Sequence, residues 1–441
     1  MPAPMSRRQF ACSTAALAIV AGGFHGSPAR AAEPRKFNES IEKGRQAALD
    51  TLMPTPAQLE HGLELHAQSI VFDAYGFSPR SASDGAVMSQ AIASGMSDFE
   101  LQDLTEEMSM TRCVTNAAEQ AQYREGWEAA GMTCIFQNAG EESSEPMRLI
   151  KRLARFTFVS DHLRDFVFKA VEPGDIERAK RENRHCLYMT GNGVPLAGDT
   201  LSVPDELRYV RVFQQLGIRM MHVTYQRRNL LGDGCAELAN GGLSDLGRAA
   251  IAEMNRLGVI VDVAHSGWRT SLESAQASKK PMVASHTVCD ALNHHIRAKP
   301  VEVIKAICDT GGLVGICCIS NFLGGKGDIV ALLDHIGYVV ERFGIDHVAI
   351  GSDVGYSSQN FGTEQSKVTA KRATRRPRYE SFWPEGALSK SFPGAATIAW
   401  TNWPLFTVGL VQRGYKDADI QKILGQNMLR VCRENYSMKA S

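Results

Sequence analysis

A parallel α/β fold, a (β/α)8 TIM-like barrel, is what this sequence predicts, and three observations predict it. Eight short, largely continuous apolar runs recur along the chain, as parallel strands buried on both faces require. Amphipathic stretches of helical period separate them. No G-x-G-x-x-G follows the first run, so the main rival, an open doubly wound sheet, lacks its signature.

Taken in order, the 441 residues begin with a segment that is not fold. Arg7-Arg8 precede Phe10, an apolar stretch runs from Ala11 to Gly23, and Ala29-Arg30-Ala31 follows. A basic start, a short apolar core and an A-x-A end make 1–32 a secretory signal of twin-arginine type. The expected location is periplasmic or extracytoplasmic. Residues 33–66 form a helical lead-in, in which Thr55 before Pro56 marks a helix start. The barrel is expected over 67–436. Its strand-like runs are "SIVFDAY" (69–75), "MTCIFQNA" (132–139), "HCLYMTGN" (185–192) and "IRMMHVTY" (218–225). They continue with "GVIVDVAH" (258–265), "PMVASHT" (281–287), "GLVGICCIS" (312–320) and "HVAIGSDV" (347–354). Between them lie helical patterns such as 244–258, with Ser244 as N-cap and Gly258 as C-cap, then 300–312 and 328–344. Residues 355–400 read as a long insertion after strand eight, and its basic patch "KRATRRPR" (371–378) as solvated surface. A last helix is expected over 417–436.

Composition narrows the partners. Lys plus Arg equals Asp plus Glu at 48 each, so no net field attracts nucleic acid or an anionic membrane. A small-molecule or peptide ligand fits better. No second apolar run is long enough for a membrane span. Ten cysteines, one of them in the leader, show no C-x-x-C spacing, so neither a disulfide framework nor a zinc ribbon is indicated. Cys317 and Cys318 lie in an apolar run and read as buried thiols, with one or two disulfides left open for an oxidising compartment.

Catalytic groups in such a barrel project from the C-terminal ends of strands. Those ends carry Asp73, Tyr75, Asn138, Asn192, Tyr225, His265, His286 and Asp353. Two imidazoles and a carboxylate on strands five, six and eight are ligands that a catalytic Zn2+-type ion needs. His222 in mid-run and His185 at a strand start read as structural, and His294 and His295 as exposed loop residues.

"GGLSDLGRAAIAEMNRLGVIVDVAHSG", "KPMVASHT", "IGSDV" and "ILGQNMLRV" together resemble the membrane (renal) dipeptidase family of zinc metallopeptidases, from about 187 to 436 and more faintly from 69. The resemblance implies a barrel of the metal-dependent hydrolase type with a two-zinc site that hydrolyses dipeptides with little side-chain selectivity. By position, His265 and His286 match the two histidines of the second zinc. Asp353 matches the aspartate that binds the first zinc and moves a proton. Arg297, in "NHHIRAKP", matches an arginine that grips the substrate carboxylate. Four positions depart. Tyr75 and Phe77 stand where the family has an H-x-D pair, Gly193 where it has a bridging glutamate, and Tyr225 where a histidine polarises the scissile carbonyl.

Two dications held side by side need an anionic bridge. Only Asp353 remains for the first zinc, so one Zn2+ is expected rather than two, on His265 and His286 with Asp353 as the third candidate. Asp73 is a further candidate to complete that set. The expected function is dipeptidase-like: metal-activated water cleaves the amide bond of a dipeptide or similar small amide. Asp353 carries the proton, Arg297 binds substrate, and Tyr225 contacts it and stabilises the oxyanion. The other reading is a non-catalytic periplasmic binding or accessory protein on the same fold. A homodimer is a further expectation.

Overall fold

Strands form where the apolar runs predict them. The computed structural model describes residues 36–140, 145–196, 198, 202–370, 382–384, 387 and 392–437. Residues from Phe37 onward form one compact unit, and of the segment before it only Lys36 is described. The strands are β1 (Phe72–Gly76), β2 (Cys134–Asn138), β3 (Val167–Lys169), β4 (His185–Gly191) and β5 (Ile218–His222). They continue as β6 (Ile260–Asp262), β7 (Val283–Cys289), β8 (Ala298–Lys299), β9 (Leu313–Ile316) and β10 (Val348–Ile350). All pair in parallel, in the order β1-β2-β4-β5-β6-β7-β9-β10, while β3 lies on β4 and β8 on β7, off that path. The eight strands of the path are the eight apolar runs; β3 and β8 are short additions that the pattern did not predict.

Side-chain and loop hydrogen bonds close the barrel between β1 and β10. Asp353 N donates to the Tyr75 carbonyl at 3.0 Å, and Phe77 N to the Val354 carbonyl at 3.2 Å. The buried Asp73 carboxylate accepts from Ser352 N at 2.8 Å, from the Ser352 hydroxyl and from Trp400 Nε1 at 3.2 Å. Position 76 must be glycine for this, because a Cβ there would run into the Asp73 carboxylate. The result is a (β/α)8 TIM-like barrel.

The helices follow their caps. Asp245–Leu257 starts with the Ser244 side chain accepting from Gly247 N, and stops at Gly258 with φ +74°. Val301–Asp309 and Ile329–Phe343 occupy the other two predicted stretches. Before the barrel, Glu39–Leu52 precedes Pro56–Gln68, which opens with a full capping box on Thr55 and Gln58. The helix Trp403–Gln412, outside the predicted stretches, is buried from Trp403 through Leu410 and packs against Pro56–Gln68. Being apolar all round, it shows no periodicity to read. The last helix is broken into Asp417–Gln421, Lys422–Gln426 and Asn427–Asn435, the middle piece a π turn through Gly425.

The leader at 1–32 and the basic patch at 371–378 lie outside the described residues. Among the described residues no helix is long and apolar enough to cross a membrane. All nine described cysteines are free thiols, eight of them buried.

Candidate metal centre at the barrel mouth

Three adjacent strands supply the centre. β5 ends at His222, and the segments after β6 and within β7 carry His265 and His286. All three imidazoles are buried, and one ring nitrogen from each lies within 4.8 Å of the others, the one such group among the described residues. His265 Nε2 and His286 Nε2 are 2.8 Å apart. His222, read from the sequence as structural, therefore belongs to the site. The run 218–225 looked like one strand ending at Tyr225, but pairing stops at His222, so the strand end is that histidine.

The outer nitrogens fix the tautomers. His222 Nδ1 faces the Gly191 carbonyl at 3.0 Å, and His265 Nδ1 faces Gln226 Oε1 at 2.9 Å. Both partners accept, so each Nδ1 carries the hydrogen and each Nε2 points inward as a bare lone pair. His286 Nδ1 bonds Ser285 Oγ at 2.8 Å. Burial holds all three rings below the ordinary histidine value, aided at His265 and His286 by the Arg297 charge. With His265 Nε2 a lone pair, His286 Nε2 donates to it and Ser285 Oγ donates to His286 Nδ1. Moving that one hydrogen to Nδ1, where Ser285 Oγ can equally accept, turns all three Nε2 atoms into the neutral donors a divalent metal requires, so the residues fit one.

Aromatic rings wall the cluster. Tyr75 stacks on His286 with centroids 3.8 Å apart, and its hydroxyl donates to Asn192 Oδ1 at 2.7 Å. Tyr225 stacks on His265 at 4.2 Å, beyond the end of β5. Phe77 packs edge-on to Tyr75 at 5.9 Å, under the Arg80 guanidinium. Gly193 lies buried just after β4, next to the Asn192 that holds Tyr75. Of the four positions expected to depart from the family pattern, Tyr75 and Tyr225 stack on the histidines, Phe77 packs on Tyr75, and Gly193 follows Asn192.

Arg297 is almost wholly buried. Its Nη2 donates to the His286 carbonyl at 2.9 Å and its Nε reaches the Ala264 carbonyl at 3.4 Å, while Nη1 has no hydrogen-bond partner. Asp353 sits three residues beyond β10 with φ +57°, a left-handed conformation uncommon for aspartate. Burial raises its carboxyl to about 6, against the pull of Arg297. Asp353 is not among the groups within 4.8 Å of one another. Asp73, weighed as an added ligand, is instead committed to the seam, where burial lifts it to about 7 against the hydrogen bonds from Ser352 and Trp400. His294 is exposed as expected and bonds Asp290; His295, expected to be exposed, is instead half-buried against Phe322, whose ring stacks on Trp383; and His185 stacks on Trp127 away from the mouth.

Solved structures share this architecture. An amidohydrolase from Pseudomonas aeruginosa superposes with a TM-score of 0.61 at 26% identity, over 85% of this chain and 98% of that one. The probable dipeptidase PvdM from the same organism gives 0.58 at 20% identity, over 86% and 99%, a likeness of fold. Among curated proteins, dipeptidase tcpJ of Claviceps purpurea is 28% identical over 273 residues, 60% of this chain and 55% of that one. Dipeptidase verJ of Clonostachys rogersoniana is 28% identical over 235 residues, 52% of each. The chain spans about half the length of the curated relatives it matches. The sequence profile of the membrane dipeptidases, peptidase family M19, matches residues 62–370, and with most of the chain inside that match the protein belongs to this family.

Proposed function

We propose that this protein is an exported metal-dependent hydrolase that cleaves the amide bond of dipeptides or of similar small amides, with one Zn2+. The observation that carries the reading is the buried, unpartnered Arg297 Nη1 beside a pair of inward-facing imidazole nitrogens. A buried guanidinium N–H without an acceptor costs stability, and a substrate carboxylate supplies the missing acceptor. The metal, when bound, polarises the amide carbonyl and lowers the pKa of water.

Every other part of the work falls to the chain. His265 and His286 offer their Nε2 atoms to the ion, kept in the correct tautomer on the His265 side by Gln226. Arg297 anchors the substrate carboxylate, which fixes the scissile bond relative to the ion. Asp353, with its carboxyl raised to about 6, is suited to take up and return a proton near neutrality. Tyr225 lines the mouth over His265, where its phenol can meet an oxyanion. Tyr75 fills the space on the far face of His286, which supports a single ion.

The mature protein, purified and assayed for metal by mass spectrometry and for amino-acid release from a dipeptide panel, tests this. One metal per chain with turnover that is lost in His265→Ala is expected. Two metals per chain would refute the single-ion reading. Metal without turnover across the panel would favour a binding protein. Export through the leader predicts a secreted chain whose N-terminal sequence begins near Glu33.

A further inference from the structure

We propose that Asp73 is a positioning residue for Asp353: acting through Ser352 and Tyr75, its carboxylate holds the left-handed turn that carries Asp353. The inference rests on the reading that Asp353 moves the proton. The shape of the turn is nevertheless measurable without turnover.

Asp73, on β1, is fully buried, and four donors converge on its carboxylate. Oδ1 accepts from Ser352 N at 2.8 Å and from Tyr75 N at 3.3 Å. Oδ2 accepts from the Ser352 hydroxyl and from Trp400 Nε1 at 3.2 Å. An ionised carboxylate, with two lone pairs on each oxygen, supplies all four acceptors at once. Asparagine has the same shape but not the same capacity. Its NH2 group would face the indole N–H in one orientation and two backbone N–H groups in the other. The Ser352 hydroxyl can reverse to accept a hydrogen bond; those N–H groups cannot.

Two of the four donors bracket Asp353. The Tyr75 N–H bonds Asp73, while the Tyr75 carbonyl accepts from Asp353 N at 3.0 Å. Ser352, bound to Asp73 through both its N–H and its hydroxyl, immediately precedes Asp353. One carboxylate thus grips the residue before Asp353 and the residue that the Asp353 N–H bonds. Between these grips Asp353 has φ +57°, where its Cβ crowds the backbone, a conformation that persists only where the surroundings impose it. The chain leading in has little slack. Gly351 N donates to the Ile316 carbonyl at 3.1 Å, a Cβ at 351 would run into the Ser285 carbonyl oxygen, and the Ser352 carbonyl accepts from Cys318 N at 2.8 Å. Without the carboxylate, Ser352 loses both its bonds to β1, and Asp353 relaxes toward negative φ. That rotation moves its side chain relative to Arg297, whose charge acts on it. Misplacing a proton carrier by about 1 Å costs about 100-fold in rate.

Crystal structures of the mature protein and of its Asp73→Asn variant give the first test. Asp353 should leave the left-handed region in the variant, with the three histidines in place. Asp353 still at positive φ, with Ser352 unmoved, would overturn the inference. Steady-state kinetics on the zinc-loaded protein, with the best substrate of a dipeptide panel, give the second. Asp73→Asn should lower kcat about 100-fold with KM little changed. In an Asp353→Asn background the same substitution should cost nothing further, because Asp73 acts through the group already removed. An equal loss in both backgrounds would refute positioning and leave Asp73 a purely structural closure of the barrel. Ser352→Ala, which keeps the Ser352 N–H bond to Asp73, should show a smaller kcat loss with the same non-additivity, and is judged by the same two outcomes if Asp73→Asn does not fold. Wild-type protein without turnover would sink the proposed function, while the crystal comparison would still decide whether Asp73 sets the turn.

Discussion

Stability in acid is the sharpest quantitative consequence of the fold. His66, on the helix Pro56–Gln68, is buried where that helix meets Trp403–Gln412. Its Nε2 donates to the Ala130 carbonyl at 2.9 Å and its Nδ1 faces Thr407 Oγ1 at 2.8 Å. Burial, together with the charges of Lys180 and Arg45, lowers its pKa from 6.5 to about 4. The unfolded chain therefore binds a proton near pH 6.5 that the folded chain refuses until near pH 4. Stability from this group is fully present above pH 6.5 and is lost progressively as pH falls toward 4. At pH 5 the loss from the one residue is about 2 kcal/mol, the difference in proton binding free energy for pKa values of 6.5 and about 4. Urea unfolding followed by circular dichroism measures it, on metal-stripped protein so that metal linkage does not enter. His66→Gln keeps an N–H for Ala130 and an oxygen for Thr407 but cannot titrate. The drop in unfolding free energy between pH 7.5 and pH 5 should shrink by about 2 kcal/mol in the variant. The other buried histidines cancel in that comparison. An unchanged drop would refute the reasoning, because it would mean His66 titrates alike in both states.

Four further outcomes follow from the same structure. Arg297→Gln should lower kcat/KM for dipeptides about 100-fold, carried mainly by KM, since a charge-assisted hydrogen bond to a carboxylate is worth up to about 3 kcal/mol; steady-state kinetics with Arg297→Lys as the partial rescue checks it. Gly425→Ala would push a Cβ into the Ile70 carbonyl oxygen, and should cost about 1–3 kcal/mol in urea unfolding. Gly362→Ala, where a Cβ meets nothing within 4 Å, should be neutral or slightly stabilising. Thiol titration of the mature native protein should find at most Cys235 reactive, and all nine cysteines only in denaturant.

The barrel was legible because each of its strands is buried on both faces and so reads as an unbroken apolar run. The helix Trp403–Gln412 and the short β3 and β8 were not, for opposite reasons. The helix is apolar on every side and has no period, while the two strands are too short to show one. The metal centre was half legible. His265 and His286 stand at the ends of their runs, where the chemistry of a parallel barrel is sought. His222 was passed over because "HVTY" continues in strand-like residues past the point where pairing stops. A signal was nevertheless present in the runs themselves. "IRMMHVTY" carries His222 and "GVIVDVAH" carries Asp262 between apolar neighbours, and these two are the pair that strand register sets side by side. A buried strand tolerates such an interruption only if something satisfies it.

Tyr75, Tyr225 and the three histidines pack as one set of rings at the mouth. Tyr75 reaches from the face of His286 to Asn192, so its ring takes up volume beside the histidines and its hydroxyl ties down the end of β4. With glycine at 193, that position adds no carboxylate, and a carboxylate next to Tyr75 in the barrel seam is that of Asp353, whose N–H bonds the Tyr75 carbonyl. Beside Tyr75, His222 lies edge-on with ring centroids 5.4 Å apart, and its Nε2 is 3.2 Å from the buried Asp262 Oδ2. Next to these rings Arg297 bonds the His286 carbonyl and keeps its buried Nη1 short of an acceptor, which a carboxylate beside the histidines would supply.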